Sequence, residues 1–291
     1  MKAFDDDFIG KLERIRLNSQ KAVAGATGGN RRSKAKGSSI EFSDFREYTT
    51  GDDYRSIDWN AYARFEKLFV KLYMEEREAN ISVLLDTSAS MGKTHPEKGI
   101  AAKRLAAIFV YAALAGYDRA GIAAISSRGI EHLPHFSGKA GLARALAFLE
   151  GLEFEGGTGL SSSIMACSHL YGRKGITILI SDLFSGDSYK DALKWLKYQQ
   201  QEVVLVQVLA RDELAPRWTG PVRLIDSETG RDVQVEMSPR ALSLYQKALD
   251  AFLNDIRTFC TSMEISYCLI PSDLSLDEII FGGLRKAGIL S

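Results

Sequence analysis

Cysteine is scarce: Cys167, Cys260 and Cys268 are all there is in 291 residues, an odd number with no CxxC pair. That excludes a disulfide framework and a cysteine-based zinc cluster, and it fits a reducing, cytoplasmic location. Long hydrophobic runs are missing too. The longest apolar stretch, Leu105 to Tyr117, is too short for a bilayer span and reads as a buried helix, so no membrane span is expected. The N-terminus alternates Asp and Phe and lacks the basic and apolar blocks of a signal peptide. Nor is there an excess charge of either sign, with 37 Lys and Arg against 37 Asp and Glu, which argues against a nucleic-acid partner. Histidine is limited to four residues, and His132 and His135 form an HxxH with no acid or cysteine beside it, an unpromising zinc site. No GxSxG elbow is present for a serine hydrolase. Met91-Gly92-Lys93-Thr94 has the ending of a phosphate loop, but Thr87 stands where the first glycine is required, so any nucleotide chemistry must come from a partner.

What remains is an ordinary compact composition, 45% hydrophobic and 25% charged. Phe4, Phe8, Leu12 and Ile15 recur at helical spacing and predict a first amphipathic helix that docks on something. A connector follows, with Gly25 to Gly29 and the basic run Arg31 to Lys36. Residues 1 to 40 hold nine Lys or Arg against four Asp or Glu, a solvated connector or else an anion or phospholipid contact. From Ser39 to Arg64 the chain is dense in aromatic and charged residues, with a turn at Thr50 to Asp53 and Arg and Asp set for mutual pairing. Lys67 to Glu75 alternates as a half-exposed strand. We group residues 1–77 as an N-terminal segment.

Over 78–291 the pattern turns to alternating strands and helices. Ile81 to Leu85, Gly121 to Ser126, Ile176 to Ser181, Val203 to Leu209 and Ile265 to Ile270 read as strands. Ile130 to Pro134 reads as an edge strand because of its proline. Helices are expected over Lys98 to Tyr117, Ser188 to Gln200, Leu242 to Phe259 and Leu276 to Lys286. Strands at Val222 to Asp226 and Val233 to Glu236 make a hairpin inside an insertion at 211–240. This order predicts a doubly wound α/β fold, a mainly parallel sheet with helices on both faces. Ligands in such sheets bind outside the carboxyl ends of the strands, near a switch in strand order.

Asp86 and Asp182 each close an apolar strand, so both carboxylates fall on that rim. After Asp86 come Ser88 and Ser90 at alternate positions, and Gly156-Gly157-Thr158-Gly159 offers a further hydroxyl among glycines that allow close backbone approach. Hard oxygen donors of this kind suit a small divalent cation, Mg²⁺ or Mn²⁺. The bland alternative is that Asp86, Ser88 and Ser90 cap the next helix and its turn.

The set Asp86-Thr87-Ser88-Ala89-Ser90, Thr158 and Asp182 resembles the metal-ion-dependent adhesion site (MIDAS) of von Willebrand factor A domains. That resemblance implies Ser88, Ser90 and Thr158 as inner ligands, Asp86 and Asp182 acting mostly through water, and a partner's acidic side chain completing the octahedron. The block Arg46-Glu47-Tyr48, Gly51 to Arg55, Ile57-Asp58-Trp59 and Arg64, with Leu224 to Gly230, is similar to the bacterial family called domain of unknown function 58. That implies a MoxR-type AAA+ ATPase as partner, with roles in assembly, maturation or stress. The block itself reads as a clasp of Arg–carboxylate pairs or as a partner surface, with Trp59 buried.

Three functions follow from these residues. The first is a non-enzymatic, metal-dependent protein-interaction module serving the ATPase and a client that offers an acidic residue. The second, a metal-dependent phosphohydrolase, would want a second acid two residues after Asp86, where Ser88 stands. The third is a structural subunit with a vestigial metal site.

Overall fold

The computed structural model describes residues 3–12, 41–74, 79–157, 159–167, 174–184, 188–218, 220–227 and 230–284. Their contacts divide them into two compact units, residues 3–12 with those from 79 onward, and residues 41–74. Residues 6–12 form helix α1. Its first turn is held by Asp5, whose carboxylate accepts the Phe8 N–H at 2.8 Å. Phe8 and Leu12 are buried in the core of the larger unit, and Arg104 donates to the Ala3 carbonyl at 2.8 Å. The first helix therefore belongs with the sheet and not with the rest of segment 1–77. Its apolar stripe names the buried face but not the partner; Ile15 lies outside the described residues.

In the smaller unit β1 (Glu41–Glu47) pairs antiparallel with β2 (Phe69–Met74). Between them lies α2 (Trp59–Phe65), capped by Asp58, whose Oδ1 accepts the N–H groups of Asn60 and Ala61 at 2.9 and 3.2 Å. The expected Arg–Asp pairing forms: Arg46 reaches Asp52 at 2.8 Å, beside the Thr49–Asp52 turn. Asp52 is held below the usual carboxylate range, first by the Thr49 N–H and then by Arg46. One expectation fails here. Trp59 is 61% exposed, because it sits at the start of a helix with no buried residue, and its ring meets Tyr62 edge-on.

The larger unit is a six-stranded sheet. In chain order its elements are β3 (Asn80–Asp86), α3 (Pro96–Ala115), β4 (Arg119–Ser126), β5 (Gly129–Phe136), α4 (Gly138–Gly151), α5 (Leu160–Ala166), β6 (Gly175–Ser181), α6 (Tyr189–Tyr198) and β7 (Gln201–Leu209). There follow α7 (Arg211–Leu214), β8 (Gly220–Ile225), β9 (Asp232–Met237), α8 (Pro239–Ser262), β10 (Ser266–Pro271) and a π-helical segment, Glu278–Leu284, where an α-helix was expected. The sheet order is β10-β7-β6-β3-β4-β5. All neighbours are parallel except β5, which returns antiparallel on the edge and carries Pro134 where no ladder N–H is needed. β8 and β9 form the expected hairpin outside this sheet.

The central strands read as unbroken apolar runs because both faces are covered. Val83, Leu85, Ile178, Ile180, Val204 and Val206 pack under α1, α3, α4 and the π-helical segment. The alternate residues Leu84, Leu179, Val203 and Leu205 pack under α5, α6 and α8. Burying one such leucine contributes about 2 kcal/mol, so these two layers hold the strand ends rigidly in place. No described helix is long and apolar enough to cross a membrane.

Candidate metal centre

β3 is flanked by β4 on one side and β6 on the other. The chain leaving β3 therefore turns toward β4 and the chain leaving β6 toward β7, which opens a crevice between the two carboxyl ends. The register pairs Leu85 with Ile180, so Asp86 stands level with Ser181 and one residue before Asp182. Both expected carboxylates thus meet at the switch point. Both are buried.

Asp86 is held from two directions. Its Oδ1 accepts the Ser88 N–H at 2.9 Å and its Oδ2 accepts the Ser181 hydroxyl at 2.7 Å. Burial, with the nearby Asp182 as the second cause, raises its carboxyl to about 7. A carboxylate in so dry a place favours either a proton or a cation close by.

Ser88 stands at the N-cap position of the short helical turn Ala89–Met91. Its side chain makes no cap there, and neither does that of His95, the N-cap of α3. Instead the Ser88 and Ser90 hydroxyls sit 3.0 Å apart, bonded to each other. Two oxygens that bind one Mg²⁺ in adjacent octahedral positions, at about 2.1 Å each, stand about 3.0 Å apart. The donor pair fits that geometry. Among the described residues no three His, Cys, Asp or Glu group together in a way that could hold a metal ion.

The glycine loop lies against the loop that follows β3. Glu155 N–H donates to the Thr87 carbonyl and Ala89 N–H to the Gly156 carbonyl, both at 2.9 Å. Gly156 has φ +79°, and a Cβ there would come within 3.0 Å of Ser127 Oγ and Arg128 Cγ, so glycine permits the approach. Thr158, the remaining expected ligand, lies outside the described residues. Phe154 packs beneath the loop, filling the space beside Gly92 and Gly99 where a Cβ would clash at 2.5 and 2.7 Å.

Sequence reasoning missed the groups behind Asp182. Its Oδ1 accepts the Phe184 N–H at 2.9 Å and its backbone carbonyl accepts the Gln207 amide at 3.0 Å. Its Oδ2 takes the ammonium of Lys98 at 2.8 Å, and that ammonium also meets both oxygens of Glu213 at 2.8 and 3.0 Å. Lys98 is fully buried. A signal existed: α3 is apolar on nearly every side, so a lysine in its first turn has no route to solvent. The HxxH serves the sheet instead, with His135 reaching over Gly121 to Ser82 Oγ at 3.1 Å.

The family model described as "Protein of unknown function DUF58" matches residues 44–251. Among curated proteins, the chain is 24% identical over 295 residues to the uncharacterized protein Rv1480 of Mycobacterium tuberculosis, covering 99% of this chain and 92% of that one. Among solved structures it is similar to the conserved hypothetical protein BatB from Bacteroides thetaiotaomicron, 16% identical with a TM-score of 0.44, covering 72% of this chain and 98% of that chain. It is also similar to the manganese-loaded Plasmodium vivax TRAP protein, 14% identical with a TM-score of 0.33, covering 45% of this chain and 57% of that chain.

Proposed function

The chain belongs to the family described as protein of unknown function DUF58, and we propose that it is a non-enzymatic, metal-dependent protein-interaction module. The observation that carries this reading is the pair of serine hydroxyls 3.0 Å apart, spent on no helix cap and backed by two buried aspartates at the switch point. Asp86, Ser88, Ser90, Thr158 and Asp182 would hold Mg²⁺ or Mn²⁺. When bound, the cation supplies an open Lewis-acidic position. The chain's own contribution is to offer mainly neutral donors: the hydroxyls of Ser88 and Ser90 would hold the ion, while Asp86 and Asp182 are tied back by Ser181, Ser88 N–H, Phe184 N–H and Lys98. Such a site leaves charge to be met by an incoming carboxylate, which makes recognition of an acidic client side chain its natural use. The position two residues after Asp86 holds a serine and not a second acid, which supports recognition over phosphoryl chemistry.

The family resemblance supports a MoxR-type AAA+ ATPase as the partner that supplies nucleotide chemistry. The three cysteines are buried thiols, which fits a reducing cytoplasm as the place of action. Calorimetric titration of the full chain with Mg²⁺ and Mn²⁺ tests the first half of this reading. Wild type should bind one ion, Ser88→Ala should lose it without loss of fold, and capture of the ATPase or its client should vanish in chelator. Equal capture with and without chelator refutes the proposal.

A further inference from the structure

Lys98 is the least expected residue of this rim. A fully buried ammonium is costly to desolvate, and a buried ion pair is weak evidence of a stabilising role, since an apolar residue of similar volume often serves stability as well. Its contacts are specific: Asp182 Oδ2 at 2.8 Å, Glu213 at 2.8 and 3.0 Å, and the face of Phe184, whose centroid is 5.5 Å away. Glu213 is fixed in turn, its Oε2 accepting the Ala210 N–H at 2.6 Å and its backbone carbonyl accepting the Tyr245 hydroxyl at 2.5 Å.

We propose that Lys98 is a positioning residue that sets how much negative charge the rim presents to a bound cation, and that Glu213 divides its charge with Asp182. The inference rests on the metal-dependent reading above. Asp182 has one oxygen held by Phe184 N–H and the other by Lys98, so its orientation is fixed and part of its charge is answered before any cation arrives. A cation here is held loosely and stays electrophilic. What the site loses in grip on the ion it gains in pull on a partner carboxylate. Glu213, which is 17% exposed, draws Lys98 the other way. Removing that pull leaves the whole ammonium charge on Asp182.

Two substitutions then act in opposite directions. Lys98→Met should bind Mn²⁺ about tenfold or more tightly, because a neighbouring positive charge in a dry site has gone. It should bind acetate, as a stand-in for the partner carboxylate, correspondingly less well once loaded with Mn²⁺. Glu213→Gln should bind Mn²⁺ severalfold more weakly and acetate more tightly. The experiment is an electron paramagnetic resonance titration of free Mn²⁺, followed by acetate titration of the Mn²⁺-loaded protein read by water proton relaxation, with Ser88→Ala as the control. Opposite shifts in the two variants support the proposal. A merely structural ion pair loosens Mn²⁺ in both, and that result, or no shift in either, overturns it while leaving the metal site standing. Absence of Mn²⁺ binding in wild type overturns the metal-dependent reading itself and this inference with it. If Lys98→Met does not fold, Glu213→Gln decides alone: weaker Mn²⁺ with tighter acetate supports the proposal, and any other outcome overturns it.

Discussion

The buried carboxyl of Asp86 makes a prediction about stability that needs no partner. Burial and the nearby Asp182 raise it from an ordinary value of 3.8 to about 7. Between those two values the folded state holds a proton that the unfolded chain has released, so stability falls as pH rises through that window. Three pH units at about 1.4 kcal/mol each set the loss on the order of 4 kcal/mol, complete above about pH 7. A divalent cation held there, as proposed, would replace the proton and should restore much of that loss. Asp86→Asn isolates the effect. The amide oxygen still accepts the Ser88 N–H, but the NH₂ faces Ser181 Oγ, which already accepts the Leu183 N–H at 3.0 Å and must give up its role as donor. That mismatch costs about 1 kcal/mol. Near pH 5, where wild type carries a neutral acid, the variant should therefore be slightly the less stable of the two; near pH 8 in chelator it should be the more stable by a few kcal/mol. His135, whose burial and whose neighbour Arg119 lower its pKa, contributes the opposite slope below about pH 6.5, and it cancels because both proteins contain it. Urea unfolding at the two pH values, with chelator and with saturating Mg²⁺, gives all the terms. A wild type that stays ahead of Asp86→Asn at the higher pH in chelator would refute the argument.

Two further changes test the frame around the site. Gly121→Ala places a Cβ 3.2 Å from the His135 ring, so the ring must give way and its 3.1 Å bond to Ser82 should break; a loss of about 1–2 kcal/mol in chemical denaturation is expected, and no loss would mean that the edge strand accommodates freely. Asp58→Ala removes the cap of α2 and should cost that helix about 1 kcal/mol, seen as faster hydrogen exchange at the Asn60 and Ala61 amides with the sheet amides unchanged.

Much of this architecture is legible in the sequence, for physical reasons that also mark its limits. β3, β6 and β7 are legible because burial on both faces leaves an uninterrupted apolar run, and the residue that ends such a run lies on the ligand rim by topology alone. Asp86 and Asp182 come straight from that rule, and Ser88 and Ser90 from their spacing. β1 and α2 were not legible, since their residues mix aromatic and charged types with no clean period. Residue type alone favours a core for Trp59, but a helix with no buried residue cannot bury it.

The residues that tune the rim were hidden for a different reason. Lys98 meets Asp182 across 84 positions and Glu213 across 115, while Ser181 reaches Asp86 across 95. Periodicity reports which side of an element is buried, and motif spacing reports what one loop can present; neither reports which distant charge fills a dry gap behind a ligand. The negative evidence was nevertheless in the sequence: a lysine in the first turn of a helix that buries nearly every side must find its counter-charges inside. Such a charge, walled in between two carboxylates, acts on whatever the carboxylates face. Its effect on a cation held at the rim would therefore be electrostatic and of definite sign, which loss of packing alone cannot imitate.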